Sequence, residues 1–169
     1  MSLPILSVYT DGSSNGSSNG PSGWGWIIIN LQTLEVLNEG SEGSPQGTNN
    51  TAELQGAIKG LEAAIHLNLH KEYQIELVSD STYVLNLATG LFTPHTNKEL
   101  ALQLKTIFSQ INAQARWVKG HNSDPVNIQV DLLAKKGKAL YSPPKTPKKP
   151  RNTERKRKRL LAKAYKALK

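Results

Sequence analysis

The sequence predicts an α/β domain built on a mixed sheet with helices on its faces. Three observations predict it. Three β-rich runs fall within the first 42 residues and are joined by short loops, which favours an antiparallel meander. From residue 50 onward the apolar periodicity becomes helical. Strands and helices then alternate, giving the order β-β-β-α-β-α-α-β-α, and alternation favours parallel pairing.

Residues 3–10 read as the first strand, apolar and β-branched, closed by Asp11-Gly12. Residues 13–23 read as a Gly/Ser/Asn loop without the spacing or following helix of a phosphate-binding motif. Residues 24–30 form a second strand centred on Ile27, Ile28 and Ile29, and residues 35–42 a third. In residues 50–69, Leu54, Ala57, Ile58, Leu61, Ala64 and Ile65 recur at helical spacing. Asn49 or Asn50 reads as the N-cap of that helix, with Glu53 as capping-box partner. Residues 74–79 form a short apolar strand, and residues 82–88 a helix that stops at Gly90. Residues 97–111 form a helix with Leu100, Leu104, Ile107 and Phe108 on one face. A last strand at 113–118, a loop at 120–125 and a helix at 126–140 complete the body.

The net charge of +8 conceals a division. Residues 142–169 hold twelve Lys/Arg against one acid, and residues 1–141 hold nine against twelve. A mildly acidic body thus carries a strongly basic tail, expected to be flexible. Pro143, Pro144, Pro147 and Pro150 make its start a stiff spacer. Lys148, Lys149 and Arg151 precede an unbroken basic run of Arg155, Lys156, Arg157, Lys158 and Arg159. Leu161, Ala164, Tyr165 and Leu168 then recur at helical spacing, so a basic amphipathic helix is expected on binding and a solvated tail in the free protein. A polyanion, most simply a nucleic acid, is the partner this charge suits. With no cysteine, disulfides and thiolate zinc sites are excluded. No apolar run approaches the ~18–20 residues of a membrane span, and the N-terminus lacks the pattern of a secretory signal. A cytoplasmic protein is expected, or a nuclear one in a eukaryotic host.

Four acids stand where packing alone would not put them. Asp11 ends the first strand, and Asp80 the fourth. Glu53 lies in the first turn of the first long helix, and Asp131 lies between Val130 and Leu132 in the last. Taken singly, each has an ordinary reading: Asp11-Gly12 as a turn, Asp80 as an N-cap, Glu53 as a capping partner and Asp131 as a solvent-facing residue. Taken together, they read differently. If strands one and four are parallel neighbours, Asp11 and Asp80 emerge side by side at the strand ends, where open α/β sheets hold ligands. Converging carboxylates repel one another unless cations neutralise them. All-oxygen ligands suit Mg²⁺ or Mn²⁺, and a pair of such ions makes a phosphoryl-transfer site.

Five segments carry a resemblance. They are Tyr-Thr-Asp-Gly-Ser at 9–13, Thr-Asn-Asn-Thr-Ala-Glu-Leu at 48–54, Ser-Asp-Ser-Thr-Tyr-Val at 79–84, Trp-Val-Lys-Gly-His at 117–121, and Asn127 with Asp131. In this order and spacing they resemble type I ribonuclease H. The resemblance implies the ribonuclease H-like fold, a five-stranded mixed sheet with three antiparallel strands, then two parallel, flanked by helices. It implies a catalytic domain at 1–141, with 142–169 as the added tail. It implies an endonuclease that hydrolyses the RNA strand of RNA/DNA hybrids by a two-metal-ion mechanism, leaving 5′-phosphate and 3′-hydroxyl ends. The family's metal ligands fall on Asp11, Glu53, Asp80 and Asp131, and its flexible-loop histidine on His121, which would aid proton transfer or product departure. Two divalent cations, Mg²⁺ or also Mn²⁺, are the implied cofactors. No small-molecule cofactor or membrane is implied, and a monomer is expected. Gly12, Asn49, Asn50 and Glu53 would contact the RNA strand, and Thr48 a DNA phosphate. Reading 2′-hydroxyls in a wide, shallow minor groove needs groups of that kind.

The chain departs from the family twice. Some bacterial relatives insert a basic, tryptophan-bearing helix that grips the hybrid, whereas residues 90–96 here hold no Lys or Arg. The loop at 13–23 also looks longer than usual. The tail is expected to supply the missing grip, since phosphate contacts are portable. Two other classes remain: a non-catalytic nucleic-acid-binding domain, and a related nuclease such as a resolvase or integrase core. The full set of four acids argues against the first. The Asn49-Asn50 pair together with the 117–121 motif argues against the second.

Overall fold

The structure, a computed structural model, describes residues 2–16, 19–120, 123–144, 158–159 and 161–162. The five strands are β1 (Ile5–Ser14), β2 (Gly20–Asn30), β3 (Glu35–Gly47), β4 (Gln74–Ser79) and β5 (Gln114–Trp117). The helices are α1 (Asn49–His66), α2 (Thr82–Thr89), α3 (Lys98–Gln110) and α4 (Pro125–Ala139), with a short 3₁₀ turn at Leu69–Lys71. The strands form one sheet in the order β3-β2-β1-β4-β5. β1 pairs antiparallel with β2, and β2 with β3, while β1–β4 and β4–β5 are parallel. This is the mixed sheet expected from the sequence, with strands one and four as parallel neighbours.

Both sheet faces are covered. One carries Leu6, Val8, Ile28, Ile75 and Leu77 against Leu54, Ile58 and Leu61 of α1 and against residues of α2 and α3. The other carries Tyr9, Ile27, Ile29, Val78 and Val118 against Val130 of α4. Two-sided burial shows in β4, where Leu77 and Val78 face opposite sides and both are fully buried. Among the described residues, no helix is long and apolar enough to cross a membrane.

Several boundaries differ from expectation, each for a local reason. β1 does not end at Asp11-Gly12. Its ladder with β2 continues through Asp11↔Gly25 to Ser14↔Ser22, so the dipeptide is strand rather than turn, and the loop shortens to residues 15–19. β3 likewise runs on to Gly47. The N-cap of α1 is Thr48, not Asn49 or Asn50. Its hydroxyl accepts from Thr51 N at 3.2 Å, and Thr51 Oγ1 accepts from Thr48 N at 2.8 Å. That reciprocal pair completes the capping box without Glu53. The N-cap of α2 is Ser81, which accepts from Val84 N, so Asp80 is not a cap either. α1 stops at His66 because Asn68 turns left-handed at φ 55°. α4 starts one residue early, with Asp124 as N-cap and Pro125 in the first turn. Residues 90–96 contain no helix, so the inserted basic helix of some relatives has no counterpart between α2 and α3.

α4 lies in backbone contact with the meander. A Cβ on Gly137 would stand 1.9 Å from Glu42 O, and one on Gly43 would stand 2.3 Å from Gly137 O. Only hydrogen atoms fit there. Gly137→Ala is therefore expected to destabilise the fold by about 2–3 kcal/mol, read as a lower urea midpoint at unchanged slope.

Candidate active site

Four elements converge on one cleft of about 380 Å³. Asp11 and Gly12 come from β1, Asn49, Asn50 and Glu53 from the start of α1, Asp80 and Ser81 from the end of β4, and Asn127, Asp131 and Lys135 from α4. Parallel pairing of β1 with β4 sends Asp11 and Asp80 out of the sheet at the same edge. Gly12 brings in Glu53. A Cβ there would stand 2.4 Å from Glu53 N and 2.6 Å from Ala52 C, so the glycine lets α1 meet β1 backbone to backbone. The close approach that Gly12 permits within the structure is that of the chain's own helix.

One oxygen each of Asp11, Glu53 and Asp80 lies within 4.8 Å of the others. Asp11 is only 6% exposed. Burial first, then the Asp80 charge, pushes its carboxyl up to about 7. Burial first, then the Asp11 charge and a hydrogen bond to Asp11, pushes Glu53 well above the usual carboxylate range. Gly12 N donates to Asp11 Oδ1 at 2.9 Å, which works the other way. Glu53 Oε2 is buried without a hydrogen-bond partner. An unpaired buried oxygen and an oxygen-only donor set fit a hard divalent cation.

Asp131 lines the same cleft but stands outside that group of three. It is ion-paired with Lys135, four residues on, and its charge still contributes to raising the Asp11 carboxyl. Asp80 is held at its backbone, where Trp117 Nε1 donates to Asp80 O at 3.1 Å. Its side chain meets Asn127, whose Nδ2 donates to Asp80 Oδ2 at 3.5 Å. Asn127 is 5% exposed and its Oδ1 has no partner. Sequence reading gave Asn127 no role beyond the motif; its spacing of four from Asp131, one helical turn, was the available signal. Lys135, at the same spacing beyond Asp131, was missed too.

Asn49 and Asn50 are exposed at the mouth. Ser14 Oγ donates to Asn49 Oδ1 at 2.7 Å, which leaves the Asn49 amide NH₂ as the outward group. The hydroxyl of Thr48 is engaged as the helix cap. His121 lies outside the described residues, as do Lys148, Lys149, Arg151, Arg155, Lys156 and Arg157. Lys158 and Arg159 are exposed on helical backbone.

The family model described as RNase H matches residues 4–139. The ribonuclease H of Bradyrhizobium sp. (strain ORS 278) is 36% identical over 151 residues, covering 82% of this chain and 92% of that protein. The N-terminal RNase H domain of rv2228c from Mycobacterium tuberculosis superposes with a TM-score of 0.70 at 26% identity, covering 83% of this chain and 96% of that one. LC11-RNase H1, solved in complex with an RNA/DNA hybrid, shares the fold at a TM-score of 0.66 and 23% identity, over 80% of this chain and 97% of that one.

The buried carboxyls make a prediction about pH. In the folded protein Asp11 binds a proton up to about pH 7, whereas unfolded it releases one near the ordinary Asp value. The folded state therefore binds more protons between those limits, and stability falls as pH rises through that window. In chelator, Asp11→Asn should remove much of this slope and raise stability at pH 8 by on the order of 1–3 kcal/mol. Thermal melts of both proteins from pH 4 to pH 8 provide the check.

Proposed function

The chain belongs to the ribonuclease H family, type 1, and we propose that it cuts RNA/DNA hybrids with Asp11, Glu53, Asp80 and Asp131 holding two divalent cations. It is an endonuclease that hydrolyses the RNA strand of such hybrids. The observation that carries the residue assignment is the clustering of three carboxyl oxygens within 4.8 Å around a buried, unpaired Glu53 oxygen. Bound at this site, Mg²⁺ or Mn²⁺ would activate the attacking water and stabilise the leaving 3′-oxygen, giving 5′-phosphate and 3′-hydroxyl ends.

The chain's own residues do the rest. Asp11 and Glu53, whose carboxyls burial holds above the usual range, would have to give up any bound proton to hold a cation. Asn127 keeps the Asp80 carboxylate turned into the cleft. Lys135 balances Asp131 in the cleft. Asn49 and Asn50 offer amide groups to the RNA strand, where a 2′-hydroxyl both donates and accepts. Gly12 keeps β1 and α1 close enough for both to line one groove. Thr48 stands at the N-terminus of α1, where backbone N–H groups favour a DNA phosphate. His121 would move a proton or help product leave, a task its neutral-range titration suits. All four acids come from one chain, so the reading requires no second copy.

Residues 1–141 form the catalytic unit in this reading, and residues 142–169 add grip. The bridge between α2 and α3 offers no Lys or Arg at 90–96, while the tail carries twelve. Lys148, Lys149, Arg151 and the run from Arg155 to Arg159 would meet phosphates without reading sequence.

Two experiments test the reading. Asp11→Asn should lower hybrid cleavage by about 100-fold or more while leaving hybrid binding in place; a gel comparing hybrid, duplex RNA and duplex DNA in Mg²⁺ reads both activity and class. Truncation after Tyr141 should raise KM for hybrid by on the order of tenfold and flatten its salt dependence. An unchanged KM and slope would remove the tail from the proposal.

A further inference from the structure

A row of polar side chains crosses the sheet face beneath α4, and neither the core nor the proposed chemistry accounts for it. Ser7 and Tyr9 on β1, Glu76 on β4 and Arg116 on β5 lie on the same face as Asp11 and Asp80, further back along the strands. Ser7 Oγ donates to Glu76 Oε1 at 3.2 Å, and Arg116 Nε donates to the same oxygen at 2.8 Å. Arg116 Nη2 donates to the Tyr9 hydroxyl at 3.2 Å, with the guanidinium 5.7 Å from the ring centroid. The Tyr9 hydroxyl in turn donates to Asp124 Oδ2 at 3.1 Å. The donor assignment is forced: a guanidinium accepts nothing, so the single phenolic proton goes to the carboxylate.

Asp124 uses its two oxygens for different tasks. Oδ1 accepts from Val126 N at 2.9 Å and from Asn127 N at 3.1 Å, which is an N-cap. A cap needs one oxygen. Oδ2 is spent on Tyr9, which is 2% exposed and belongs to the sheet. That second bond ties the first turn of α4 to β1, two residues before Asp11. From the same turn Asn127 reaches Asp80 at 3.5 Å, near the limit of a hydrogen bond, so a small shift of the helix breaks the contact.

We infer that Tyr9 and Asp124, backed by Arg116 and Glu76, are positioning residues that hold the start of α4 so that Asn127 can fix Asp80. The inference rests on the reading of Asp80 as a metal holder.

Steady-state cleavage of RNA/DNA hybrid by the full chain in saturating Mg²⁺ tests it. Tyr9→Phe removes one oxygen and keeps the buried ring. Its kcat should fall about tenfold with KM within about twofold, because a misplaced group costs rate more than binding. Asp124→Ser keeps a capping hydroxyl but is too short to reach Tyr9, and should lose kcat to the same extent. Tyr9→Phe combined with Asn127→Ala should be no slower than Asn127→Ala alone. A parental kcat in Tyr9→Phe, a parental kcat in Asp124→Ser, or additive losses in the double variant would each overturn the inference. Asp80→Asn separates the two levels. If it stays active, the reading of the site fails. If it is dead while Tyr9→Phe is parental, only the positioning role fails.

Discussion

The contact between β1 and α1 at Gly12 is the constraint on which the site depends. Without a side chain there, α1 rests on the strand at Ala52 and Glu53, and Glu53 comes to lie against Asp11. Two carboxyls are thereby held where water is scarce. Burial and mutual repulsion push both carboxyls above their usual range, and one Glu53 oxygen is left without a hydrogen-bond partner, both unfavourable to the fold. The sheet and α1 supply the stability that tolerates this. A hard ion held there, as proposed, would remove the repulsion and satisfy the orphaned oxygen together.

Such a site works only if its acids are not consumed elsewhere, and the local sequence protects them. Helix starts attract carboxylates, and Asp80 stands just before one, while Glu53, expected in the first turn of α1, lies just past it because the cap is Thr48. In each case a neutral hydroxyl does the capping. Thr48 with Thr51 closes the capping box of α1, and Ser81 caps α2. Glu53 and Asp80 are left to face the cleft. Asp124, the acid that does cap a helix, lies behind the site rather than in it.

That division of labour marks the limit of what the sequence made legible. The element order and the mixed sheet follow from periodicity and alternation, because burial on one face or both writes itself into spacing; the pairing of β1 with β4 entered only as a condition, which the structure meets. The four acids stand out because each interrupts an apolar pattern. Capping was less legible: Asn49, Asn50 and Asp80 are as good caps as Thr48 and Ser81 by residue type, and only the backbone path distinguishes them. The Asp11-Gly12 pair misled for a related reason. The dipeptide is a turn signal by composition, yet here the ladder with β2 runs through it to Ser14, because the glycine serves packing rather than chain reversal. Asn127 and Tyr9 were illegible as partners of anything, since their contacts join residues 47 and 115 apart in sequence.

The fourth acid differs in kind from the other three. Asp11, Glu53 and Asp80 are set by the sheet and by α1, and they form the compact group. Asp131 rides on α4, outside that group, with Lys135 beside it. Its place therefore depends on how α4 is seated. At its far end the helix is pinned by backbone contact at Gly137, Gly23 and Gly43, where no side chain could fit. At its near end the capping residue Asp124 reaches down to Tyr9 on β1. A helix fixed at both ends, with its paired acid near the middle, can present that carboxylate at a constant height above the cleft, where the proposed reading would have it exchange its lysine for a metal ion. The exposed i,i+4 pair is weak enough to give way. Three acids define where the site is, and the seating of α4 defines what the fourth can reach.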